Sequence, residues 1–150
     1  TSPAIIVEHL EIDENGHSGK AYSCDRERVT NIHAESVKQH QVVAPTVHVH
    51  SLVFRFNPDE CFVPGYGKIE SMFVRRDDAV IPSNVYAERF KAFMATMDAY
   101  SMRLEADIRT GKSVPGLWIV YINYNPTSPH VLGALEDARG NLLRVDLEYI

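Results

Sequence analysis

The sequence predicts an α+β fold: one domain over residues 1–150, with a mainly antiparallel sheet in the order β-α-β-β-α-β-β-β packed against one long amphipathic helix. Three observations predict it. Segments of strand character follow one another in adjacent pairs, as antiparallel neighbours do. One long stretch carries helical apolar periodicity over many turns. The last segment alternates apolar and charged residues, as a strand covered on one face does.

Ala4 to Ile12 reads as the first strand, with Ile5, Ile6, Val7 and Leu10 supplying bulk. The turn formers Asp13-Glu14-Asn15-Gly16-His17-Ser18-Gly19 end it. A helix follows from about Asp25 to His40, because Val29, Ile32, His33, Ser36, Val37 and His40 recur on one helical face. Pro45 sets the boundary before a second strand, Thr46 to Phe56. Asn57-Pro58 and Pro64-Gly65 punctuate a loop, and Lys68 to Arg76 alternates as a third strand.

Pro82-Ser83-Asn84 opens the long helix, which runs to about Thr110. Phe90, Phe93, Met94, Met97, Tyr100, Leu104 and Ile108 form its apolar stripe, and Gly111 stands where a left-handed cap belongs. Glu88, Arg89, Lys91, Asp98, Arg103, Glu105, Asp107 and Arg109 supply the solvated face. Leu117 to Tyr124 is apolar on both faces, which predicts a central strand or one whose second face meets a partner. Val131 to Glu136 and Leu142 to Ile150 then form a hairpin across Asp137-Ala138-Arg139-Gly140-Asn141. In its second arm Leu143, Val145, Leu147 and Tyr149 point inward.

A chain of 150 residues that is 45% hydrophobic builds one substantial core without a staple. The net charge of −5 argues against broad electrostatic binding to nucleic acid or an anionic membrane. Cys24 and Cys61 lie far apart in no CxxC pattern and read as two buried free thiols, with a disulfide as the alternative. No apolar run nears the roughly 20 residues of a membrane span, and Thr1-Ser2-Pro3 begins no signal peptide, so a cytoplasmic location is expected.

The feature with most chemical content is Thr46-Val47-His48-Val49-His50-Ser51-Leu52. Side chains at i and i+2 share a strand face, so His48 and His50 can act on one ligand. Two imidazoles supply half or more of a zinc site, and His33, His40, His130, Glu70 or Cys61 would have to complete it. No acid follows the pair at short spacing, and no HExxH, CxxC or EF-hand pattern occurs. Packed, hydrogen-bonded histidines are therefore the favoured reading. No GxSxG elbow or phosphate loop is present either, and the acidic neighbour Glu60 would raise the Cys61 pKa.

These patterns point away from an enzyme. The expectation is a non-catalytic protein-binding or assembly component, of inhibitor, immunity or viral-accessory type, with a protein partner or self-association and no cofactor. The alternative is a small enzyme with a divalent metal such as zinc centred on His48 and His50.

Overall fold

The structure, a computed structural model, describes residues 3–13, 22–138 and 143–150. Residues 14–19 of the first predicted turn, residues 139–141 of the second and the Cys24 side chain lie outside the described part. Four strands form one sheet: β1 (Ala4–Ile12), β2 (His48–Phe56), β7 (Gly116–Ile122) and β8 (Leu143–Glu148), in the order β1-β2-β7-β8. Every pairing is parallel, with Ala4 opposite His48, His50 opposite Gly116 and Leu117 opposite Leu143. The expected mainly antiparallel sheet is thus corrected. The one long helix is corrected too, for among the described residues three helices cover the sheet: α1 (Tyr22–Val43), α2 (Tyr86–Arg109) and α3 (Pro129–Asp137).

Two misread segments account for the difference. Val131 to Glu136 is helical, not a hairpin arm. Pro129 at the first helical position presets φ, and Val131 and Ala134, one turn apart, are fully buried. Nor does Lys68 to Arg76 form one strand in the main sheet. It splits between two small hairpins, β3 (Cys61–Val63) with β4 (Gly67–Ile69), and β5 (Phe73–Arg76) with β6 (Ala79–Pro82). Asp77 and Asp78 turn the second hairpin with φ of 48° and 64°, the paired left-handed conformation of a two-residue type I′ turn. Once these segments leave the sheet, its strands alternate with helices, and strands joined by helices run parallel.

Side-chain alternation in β2 and β7 divides the core in two. Leu52, Phe54, Phe56, Trp118, Val120 and Ile122 face α2, where they meet Phe93, Tyr100 and Leu104. Val53, Leu117, Ile119 and Tyr121 face the other way, against Val29 of α1 and Val131 and Ala134 of α3. Both faces of β7 are therefore covered within the chain, and no second copy is needed there. In the long helix Phe93 stacks on Phe56 at 4.4 Å, whereas Phe90 and Met94 of the predicted stripe are more than 40% exposed. Arg89, expected on the solvated face, is only 6% exposed. It reaches across to the carbonyls of Asn57, Pro58 and Glu70.

The topology has a consequence for handedness. The strand order advances in one direction, yet α1 and α3 lie on one face and α2 on the other. The crossover through α2 is therefore opposite in hand to the other two, although such connections are almost always right-handed. Residues 57–115 carry two hairpins before β7 is reached, so this connection is not the short strand–helix–strand unit on which the rule acts.

Candidate functional site

The predicted histidines do not converge: His48 and His50 lie at the amino-terminal rim of the sheet, whereas His130 follows the carboxyl-terminal end of β7. His48 is the first residue of β2 and exposed, while His50 is 4% exposed and lies 3.3 Å through Nδ1 from Ser113 Oγ. His33, on α1, meets the other side of the strand, its Nδ1 2.5 Å from Ser51 Oγ. Residue alternation sets Ser51 on the α1 face and His50 on the α2 face, so the sheet separates these two imidazoles. His40 turns back on its own helix, donating from Nδ1 to the Ser36 carbonyl at 2.7 Å. His130 is 3% exposed in the first turn of α3. Glu70 is exposed, and Cys61 lies on the β3–β4 hairpin, where its thiol donates to the Asn123 carbonyl at 3.3 Å. Among the described residues no group of three His, Cys, Asp or Glu side chains is placed to hold a metal ion.

Burial lowers the pKa of His33. It lowers that of His50 as well, with a further contribution from the neighbouring His48 charge. Desolvation penalises the imidazolium and so favours the neutral ring. Cys61 is a half-buried free thiol whose pKa is raised by burial, against the pull of Arg89. The cause is desolvation rather than the acidic neighbourhood read from the sequence.

Two clefts open on either side of this rim and meet at Pro115-Gly116-Leu117, where β7 begins. The larger, of about 600 Å³, lies on the α1 side. Val37, Val47, Val49, Leu117 and Leu143 form its apolar wall, and Thr30, His33, Gln41, His48 and Asp137 its polar lining. The smaller, of about 250 Å³, lies toward α2.

The opposite, carboxyl-terminal ends of the strands hold a charged network that sequence reasoning missed. Asp13 is 2% exposed and Arg55 is 1% exposed, with Arg55 Nε 2.9 Å from Asp13 Oδ2. The Tyr124 hydroxyl donates to the same carboxylate oxygen. Arg55 Nε also lies 3.5 Å from Glu11 Oε2, which accepts from Arg28 Nη2 at 2.7 Å. His9 Nε2 stands 3.2 Å from the other Glu11 oxygen. Burial, with the neighbouring Asp13 adding to it, pushes the Tyr124 phenol far up. Its bonds to Arg55 and Tyr124 suit Asp13 to joining β1, β2 and β7. Two signals were available in sequence: Glu11 and Asp13 at i and i+2, and one arginine inside the apolar run of β2. Assigning Asp13 to a turn concealed them.

No protein-family model, curated protein or solved structure matches this chain. No helix among the described residues is long and apolar enough to cross a membrane.

Proposed function

We propose that this chain is a binding protein whose working surface is the amino-terminal rim of the parallel sheet, where the larger cleft receives an apolar side chain of a protein partner. One observation carries this reading: a concavity of about 600 Å³ with an aliphatic wall and hydrogen-bonding groups at Thr30, His33, Gln41, His48 and Asp137. That size and lining are those of sites that bury an apolar group and orient it by a few polar contacts. His33, kept neutral and oriented by Ser51, offers Nε2 as a defined contact.

N-acetyl-phenylalaninamide serves as the probe. Titrated into labelled protein, it is expected to shift the amides of His33, Val37, Val49 and Leu117 saturably. Val37→Trp or Gln41→Trp, each placing an indole in the cleft, should abolish those shifts. Shifts scattered over the surface, or unaltered in both filled variants, would overturn the reading.

A second reading keeps the metal-dependent enzyme in view, because His48 and His50 share a strand face at the rim where both clefts meet. Elemental analysis of untagged protein decides it, together with thermal melts with and without chelator. Stoichiometric metal that disappears in a His48→Ala, His50→Ala double variant would establish the metal site and displace the first reading. Absence of metal, with unchanged melting in chelator, would remove the second.

A further inference from the structure

The smaller cleft differs in chemistry from its neighbour. It lies between the end of α2 and the starts of β7 and β8, with Lys112, Ser113, Trp118 and Arg144 among its lining residues. Trp118 is 5% exposed, and its Nε1–H finds no hydrogen-bond acceptor among the described residues. A buried, unpaired donor costs free energy that an incoming acceptor would recover.

The charges around that donor have one prevailing sign. The Arg144 guanidinium sits 3.8 Å from the centroid of the Trp118 ring, and Arg103 sits 5.7 Å from it on α2. Lys112 supplies a further cation, and Asp107 is the carboxylate among the described lining residues. Arg144 meets Asp146 at 3.6 Å with its side chain 43% exposed, a loose pairing that occupies few of its five N–H donors. The C-terminus of α2 would ordinarily bring negative potential here. The backbone N–H groups of Thr110, Gly111, Lys112 and Ser113 cap its last carbonyls and blunt that potential. Ser113 Oγ, 3.3 Å from His50 Nδ1, ties the capping segment to β2 and so fixes the cleft wall.

We propose that this cleft binds a small oxyanion, a carboxylate or phosphate group, clamped by Arg144 and Lys112 and receiving the Trp118 Nε1–H as its central hydrogen bond. The volume of about 250 Å³ falls below the range of drug-sized pockets and fits an acid group with few further atoms. The Arg144 guanidinium, stacked over the Trp118 ring, offers paired N–H donors of the kind that recognise two oxygens of one acid group.

The chain contains one tryptophan, so its indole N–H gives a single resonance that reports directly on the proposed donor. Full-length protein is titrated with sodium phosphate, with sodium acetate, and with sodium chloride at matched ionic strength. A saturable displacement of the indole resonance by phosphate or acetate, and none by chloride, is expected; whichever anion acts identifies the oxyanion class. Arg144→Gln and Lys112→Gln should each weaken binding about tenfold or more, as loss of a charge-assisted contact does. Lys91→Gln, which removes an equal charge from an exposed position in the second turn of α2, should leave binding unchanged. No displacement by either oxyanion, an equal displacement by chloride, or an equal loss in Lys91→Gln would overturn the proposal. The wild-type titration decides the matter even if a variant fails to fold.

Discussion

Arg55 shows how much depends on one side chain. It is buried within a strand that is otherwise largely apolar, and its charge is compensated by Asp13 and Glu11 on the adjacent strand. Removing one member of a buried pair leaves the others desolvated and unbalanced, at a cost of about 3–5 kcal/mol. Arg55→Met is expected to lower stability by that amount in urea denaturation. Adding Asp13→Asn should cost much less than its effect alone, because it removes the charge left unpaired. The histidines make a second prediction at this scale. His33 and His50 have folded-state pKa values below the unfolded value of about 6.5. The unfolded chain therefore binds protons first as pH falls. Their contribution to stability is fully present above pH 6.5 and is lost as pH drops through that value toward the folded pKa values. The urea midpoint should be lower at pH 5.5 than at pH 7.5, and His33→Gln with His50→Gln should reduce that difference. An unchanged difference in the double variant would assign the pH dependence to other groups.

At the scale of elements, α2 separates pattern from packing. Phe90 and Phe93 belong to the same apolar stripe in sequence, yet Phe93 is 3% exposed and Phe90 is 46% exposed. Phe93→Ala should cost about 3–5 kcal/mol, the usual cost of truncating a buried aromatic. Phe90→Ala should cost about 1 kcal/mol, since it loses mainly its stacking on Tyr86. Equal losses in thermal or urea unfolding would contradict the docking of α2 described above. Periodicity finds the helix but cannot state which part of a wide stripe meets the sheet. It is weaker still for α3, where nine residues suit a short strand or a helix and only the proline at its start separates the two. Asn123 is a related case. Its φ of 61° is left-handed, held by bonds between its side chain and Ile150 at the far end of the chain. No local pattern announces that conformation.

For the whole molecule, the order β1-β2-β7-β8 ranks regions by protection. β2 and β7 are flanked by strands on both sides and covered on both faces, whereas among the described residues β5 and β6 pair only with each other and are largely exposed. Amides of β2 and β7 should exchange with solvent only by global unfolding, and those of the β5–β6 hairpin many times faster. Comparable rates in native-state hydrogen exchange would refute this placement of the core. The same organisation locates the candidate binding surface. The histidine pair was legible because strand alternation is a local rule. The clefts beside it were not, since their walls come from α1, α2, β2, β7, α3 and β8, and the segment 112–118 that joins them carries no motif.

The sequence by itself determined the bounds of β1, the position of the long helix, the two-sided burial of β7 and the shared face of His48 and His50. These depend on residues close in the chain, through the periods of helix and strand and the residues that interrupt them. Tertiary structure alone decided that the sheet is parallel, that α2 crosses its other face, and that Arg55 and Arg89 are buried charges. Strand direction depends on which segments pair. A buried charge depends on partners such as Asp13, 42 residues from Arg55. Neither quantity is local, so no window of sequence contains it.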